Sequence, residues 1–155
     1  VRDKQREWLR KHSTLRDYRR AYGKEISQYY IFSTIRNPWD KLVSLYFSPH
    51  RGADTFDPRV FERLVRSAPT IEFYLARSRL NRMFFSRGHI ARLMKFERID
   101  EDFAAVCEDL GLGTEPLAMR NRSDRVPYRE CFTKSLAKFV ASRHSAEIRL
   151  GNYSF

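Results

Sequence analysis

The run Tyr-Tyr-Ile-Phe-Ser-Thr-Ile at residues 29–35 constrains this chain's fold more than any other stretch. Aromatic and β-branched residues crowd it, which favours extended backbone. Its near-continuous apolarity predicts a strand buried on both faces, as in a parallel sheet. Arg36-Asn37-Pro38 follows at once. Asn37 suits an N-cap, because its side-chain oxygen can accept from the first unpaired amides of a helix. Pro38 suits the first helical position, where no N–H is needed. The pattern therefore predicts a helix over Pro38–Phe47, fed directly by the strand. Strand–helix units of this kind build α/β domains, whose ligands gather at the carboxyl ends of the strands. Arg36 stands at that end.

On a helix opened at Asn37, Trp39, Leu42, Val43 and Tyr46 form an apolar face, while Asn37, Lys41, Ser44 and Ser48 share another. Ser44 is set between Val43 and Leu45, where a polar side chain is more useful if it faces a ligand. The guanidinium of Arg36 can fork onto two oxygens of a phosphate. At 1.5 Å rise per residue, Ser44 lies about 9 Å along the axis from Pro38, a range that a long arginine bending back can cover. The pair could clamp one dianionic group. A plainer arrangement is also open: Arg36 paired with Asp40, and Ser44 bonded to its own helix.

Helical spacing recurs over residues 14–26 (Leu15, Tyr18, Tyr22, Ile26) and after Asp57-Pro58 (Val60, Phe61, Leu64, Val65). It recurs again over Ile71–Leu80, from an Asp100 cap to Gly111 with Phe103, Val106 and Leu110 inward, and from a Thr133 cap to about His144. Ile90–Phe96 reads as a second buried strand. These elements predict one α/β domain over residues 1–155, with a mainly parallel sheet flanked by helices. Apolar residues make up 42% of the chain, enough for a core, and the net charge of +11 favours anionic partners. A nucleotide cofactor, a sulfated or uronic glycan, nucleic acid and an anionic membrane all qualify on charge. The basic residues are dispersed rather than gathered in one stripe, which counts against nucleic acid. No apolar run approaches the roughly 18 residues of a membrane span, so no transmembrane segment is expected. The two cysteines, Cys107 and Cys131, give neither a metal-ligand spacing nor a disulfide framework. No metal is expected, and Cys107 should be buried on a helix.

The segment from Tyr30 to Tyr46, Tyr-Ile-Phe-Ser-Thr-Ile-Arg-Asn-Pro-Trp-Asp-Lys-Leu-Val-Ser-Leu-Tyr, resembles the 3′-phosphate-binding segment of sulfotransferases. These enzymes move a sulfuryl group from 3′-phosphoadenosine 5′-phosphosulfate (PAPS). The likeness is greatest to the membrane-bound carbohydrate sulfotransferases and their bacterial relatives. Their pattern is a hydrophobic strand, Arg-Asn/Asp-Pro, an aromatic, Asp, a basic residue, Leu-Val-Ser and an aromatic. The match is nearly unbroken over seventeen residues. In that family the arginine and the serine bind the 3′-phosphate, so the resemblance implies this role for Arg36 and Ser44. Leu93–Ile99 and the helix after it are similar to the family's late strand and helix. Asn121-Arg122-Ser123 resembles a motif on a loop that closes over the nucleotide, which implies cofactor contacts for Arg122 and Ser123. Gly151–Phe155 is similar to the family's ending. In some glycan-acting relatives a histidine at a comparable distance before the arginine is the base. This points to His12, which otherwise reads as a surface or capping residue.

The resemblance implies a P-loop-like fold and transfer of a sulfuryl group from PAPS to a hydroxyl, on a carbohydrate. The chemistry needs a base for the acceptor proton and cations for the bridging oxygen. Variable loops over residues 48–89 are expected to shape the acceptor pocket. The family opens with a strand and a lysine loop that cradles the 5′-phosphosulfate. Lys4 and Lys11 lack the Gly, Ser and Thr neighbours of such a loop. The expectation is that the loop lies upstream of Val1, and that the chain as given turns over little PAPS. A competing expectation is a non-catalytic basic module that binds a polyanion, either a sulfated glycan or nucleic acid. Relatives place the compartment in the cytoplasm for a bacterial protein, or in the Golgi lumen for a fragment of an animal enzyme. Glu97, at the end of the second strand, is expected to pair with a nearby arginine.

Overall fold

The computed structural model describes residues 9–10, 12–48, 55–75, 90–118 and 125–155. In chain order its elements are α1 (Leu15–Tyr22), β1 (Phe32–Ile35), α2 (Pro38–Tyr46), α3 (Pro58–Ser67), α4 (Ile71–Tyr74), β2 (Arg92–Lys95), α5 (Ile99–Asp109), α6 (Lys134–Arg143) and α7 (Ser145–Gly151). Short 3₁₀ turns occupy Gly23–Gln28, Phe96–Arg98 and Tyr128–Cys131. The fold is mixed α/β and mostly helical, and β1 pairs in parallel with β2 in a two-stranded sheet.

Most helices begin where a side chain closes them. Thr14 and Asp17 form a reciprocal capping box at α1. The Asn37 side chain accepts from the amides of Trp39 and Asp40, that of Asp57 from Arg59 and Val60, and that of Thr133 from Leu136. Helix α1 stops at Gly23, whose φ of +54° is open to glycine and costly for other residues. Helix α5 departs from expectation. It starts at Ile99 with Arg98 before it, so Asp100, Glu101 and Asp102 all lie in its first turn, where their charge complements the helix dipole. Asp102 also accepts from the Lys95 amide at 2.6 Å, which ties the helix to the end of β2. Val106 and Cys107 are buried, but Leu110 is 42% exposed and does not face inward.

The strands are shorter and barer than their sequences imply. Only Phe32–Ile35 of the seven-residue run is strand. The Tyr29 amide bonds back to the Ile26 carbonyl at 3.3 Å, and the Tyr29 ring packs edge-on to Tyr22 at 5.0 Å. Tyr29 is thereby drawn into the preceding turn. Within β1 only Ile35 is buried, while Phe32 and Thr34 are exposed, so the strand is not covered on both faces. Within β2 only Met94 is buried.

The chain divides into two compact units, residues 1–33 with 69–93 and residues 34–68 with 94–155. In the first, Leu15, Tyr18, Tyr22, Ile26 and residues 29–32 line a groove of about 320 Å³. The second holds the larger core. Trp39, Leu42, Val43 and Tyr46 of α2 are each no more than 4% exposed, and they pack with Phe61 and Val65 of α3 and Val140 of α6. Burial of each such side chain contributes about 1.5–3 kcal/mol. The Trp39 indole N–H donates to the Ala137 carbonyl at 3.1 Å, so the ring's one polar atom is satisfied inside the core. Helix α7 continues where the sequence reading ended the last helix, and its C-terminal Gly151 lies under the Tyr153 ring.

Candidate functional site

Arg36 leaves the end of β1 and turns back along α2. Its Nε donates to Asp40 Oδ2 at 2.6 Å and its NH2 reaches the same oxygen at 2.5 Å. Its NH1 donates to Ser44 Oγ at 3.1 Å. The guanidinium carbon stands 4.1 Å from the centre of the Phe96 ring, a cation–π stack that fixes the plane of the fork. The two arrangements left open by the sequence therefore coexist: Arg36 meets Ser44 and is paired with Asp40. Asp40 and Ser44 sit one helical turn apart, so both face the arginine.

A second cation completes the cluster. Arg125 NH2 donates to Asp40 Oδ1 at 2.7 Å, so one carboxylate bridges two guanidiniums. The Arg36, Asp40 and Arg125 side chains are 20%, 24% and 15% exposed, partly buried yet still open to solvent. The formal charge of the three is +1. Sequence reasoning missed Arg125 because nothing in residues 118–129 distinguishes it from its neighbouring arginines. It missed the role of Phe96 because an aromatic at a strand end reads as core.

The N-terminus of α2 is closed rather than free. Asn37 Oδ1 takes the amides of Trp39 and Asp40 at 3.1 and 3.3 Å, and Pro38 has no N–H. The Asn37 amide donates to Glu97 Oε1 at 2.7 Å. Glu97 Oε2 accepts from the Tyr153 hydroxyl at 2.8 Å, and Asn37 Nδ2 donates to the Ser154 carbonyl at 3.2 Å. Glu97 thus locks the turn and the C-terminal tail together: the Asn37 amide and the Tyr153 phenol take its two oxygens, and among the described residues it pairs with no arginine. Burial, then the hydrogen bond to Glu97 and its charge, push the Tyr153 hydroxyl well above the usual phenol range, so it remains a donor. With these amides occupied, an anion beside Arg36 would be met by side-chain donors.

Lys41 does not join the Arg36 cluster. It turns to Glu147, whose other oxygen meets His144 Nδ1. His144 is fully buried, and among the described residues its Nε2 has no hydrogen-bond partner. Burial raises the Glu147 carboxyl, but the hydrogen bond from His144 and the charge and hydrogen bond of Lys41 outweigh it, and the net direction is down. An ionised Glu147 can only accept, so His144 carries its proton on Nδ1. This network secures α2 to the α6–α7 corner.

His12 sits exposed in the turn before α1, in the first unit, whereas Arg36 and Ser44 belong to the second. Arg122 and Ser123 lie outside the described residues, as do His50 and His89. The groove in the first unit is lined by apolar side chains and the tyrosines Tyr18, Tyr22, Tyr29 and Tyr30, with no charged side chain in its lining. Among the described residues no cluster of His, Cys, Asp and Glu is placed to hold a metal ion, and no helix is long and apolar enough to cross a membrane. Comparison with known proteins adds no constraint: no family model, curated protein or solved structure matches the chain.

Proposed function

We propose that this chain carries the 3′-phosphate site of a PAPS-dependent sulfotransferase of P-loop-like ancestry, acting on a carbohydrate hydroxyl. The observation that carries the reading is the 3.1 Å hydrogen bond between Arg36 NH1 and Ser44 Oγ at the carboxyl end of β1. It joins the two positions that match the family's phosphate ligands. The donor set fits the group. A phosphate monoester needs several directed donors and partial charge compensation, and two guanidiniums with a hydroxyl supply both. Asp40 leaves the cluster one net positive charge, so the anion adds to a prepared site. Arg36 and Ser44 would hold the 3′-phosphate, with Arg125 beside them and Arg122 and Ser123 as further ligands. His12 is the proposed base. The transferring sulfuryl group is supplied by PAPS itself.

The net charge of +11 favours a second reading, a basic module that holds a polyanion without catalysis. Calorimetry separates the two. A nucleotide site takes one equivalent of adenosine 3′,5′-bisphosphate and loses little affinity between 50 and 200 mM salt, since few charges are exchanged. A polyanion surface prefers a heparin-like chain and weakens steeply over the same range, as counterion release requires. Saturable binding of the glycan with none of the nucleotide would overturn the first reading.

A further inference from the structure

We propose that Asp40 is a positioning residue that presets both guanidiniums of the anion site, an inference that rests on the phosphate-binding reading above. A carboxylate inside an anion site is at first sight a liability. It repels the ligand and occupies donors that the ligand could use. Its geometry gives it another role. Oδ2 takes Nε and NH2 of Arg36, and Oδ1 takes NH2 of Arg125. One rigid planar group therefore holds two long side chains that would otherwise sample many rotamers. Asp40 is itself held, because it sits in the first turn of α2 and its own amide bonds to Asn37 Oδ1. The remaining sides of Arg36 are set by Ser44 and by the face of Phe96. NH1 and NH2 of Arg36 each carry two N–H groups and each meets one described partner, Ser44 and Asp40, so each keeps donor capacity beyond these contacts. That remaining capacity is what a phosphate oxygen can accept from. The ordering cost of both arginines is thus met in the free protein rather than on binding.

This role predicts a response opposite in sign to the charge count. Asp40→Asn raises the formal charge of the cluster from +1 to +2, so Coulomb attraction alone makes an anion bind more tightly. Loss of preorganisation makes it bind more weakly, because the amide offers one acceptor where the carboxylate offered two. Asp40→Glu keeps the charge and moves the carboxylate by one methylene, so it changes geometry alone and serves if the first variant folds poorly. The experiment titrates wild type and both variants with adenosine 3′,5′-bisphosphate and follows the Arg36 Nε–H resonance in ¹H–¹⁵N spectra. Both variants are expected to bind about tenfold more weakly. Their Arg36 Nε–H signal should collapse toward the solvent-averaged position before any ligand is added. Variants that bind as well as wild type or better, or that leave the Nε–H signal in place, overturn the proposal. A wild type that ignores the bisphosphate while its Nε–H signal still depends on Asp40 overturns the phosphate reading itself, and the positioning role with it.

Discussion

Glu147→Gln tests the buried network that anchors α2. In the folded protein Glu147 is 3% exposed and lies between the ammonium of Lys41 and the ring of His144. The amide keeps the size of the side chain but removes the charge, so Lys41 loses its counter-ion. Removing one partner of a buried pair costs about 3–5 kcal/mol, since the other is left uncompensated. Lys41 is 29% exposed and can regain some water, which places the loss near the lower bound, about 3 kcal/mol. For a chain of this size that corresponds to a fall in Tm of roughly 6–12 °C. The pH dependence has a fixed sign. The folded carboxyl titrates below its unfolded value of about 4.3. Its stabilisation is therefore complete above that value and is lost as pH falls through the folded pKa. The gap between wild type and Glu147→Gln should be full at neutral pH and close in acid. Urea denaturation from pH 7 down to pH 3 measures it. A loss below about 0.5 kcal/mol at neutral pH, or a gap that does not narrow in acid, would refute this account of the network.

Three further substitutions probe the packing and the site. Gly151→Ala places a Cβ 2.0 Å from the Tyr153 ring, whose hydroxyl is tied to Glu97, and should cost about 1–3 kcal/mol by urea denaturation. An unchanged midpoint would mean that the ring yields freely. Trp39→Phe removes the buried bond to the Ala137 carbonyl along with part of the packed ring, and should cost about 1–3 kcal/mol in the same assay. Ser44→Ala should leave stability within about 0.5 kcal/mol while weakening bisphosphate binding by about 1 kcal/mol, and equal losses in both would mark Ser44 as structural.

Local chemistry made much of this legible from sequence. Asn37, Asp57 and Thr133 stand at helix starts because each has a side-chain oxygen one residue before a helical pattern. The apolar face of α2 was readable because its four members follow helical spacing without interruption. The strands were less so. The Tyr29–Ile35 run has the composition of a buried strand, but its first residues are drawn into a turn by Ile26 and Tyr22, contacts that strand propensity does not describe. Helix α7 carries no side-chain cap at its start and follows His144 directly, so no local signal separates it from α6 or from a tail. Lys41 illustrates the limit for the site. Helical periodicity put it on one face with Ser44, yet its long side chain goes to Glu147, 106 residues away. Arg125 joined the site by the same kind of long-range contact, 85 residues from Asp40.

The central claim, that Arg36 and Ser44 form a 3′-phosphate site, is tested most directly by comparing two nucleotides on two proteins. Adenosine 3′,5′-bisphosphate and adenosine 5′-monophosphate differ only in the 3′-phosphate. Wild type and Arg36→Ala differ in the group proposed to hold it. The account predicts that wild type prefers the bisphosphate. It also predicts that Arg36→Ala weakens that ligand by about 2–4 kcal/mol while barely altering the monophosphate, because a charge-assisted bidentate contact is lost. Equal affinity of wild type for the two nucleotides, or a bisphosphate affinity untouched by Arg36→Ala, would contradict it.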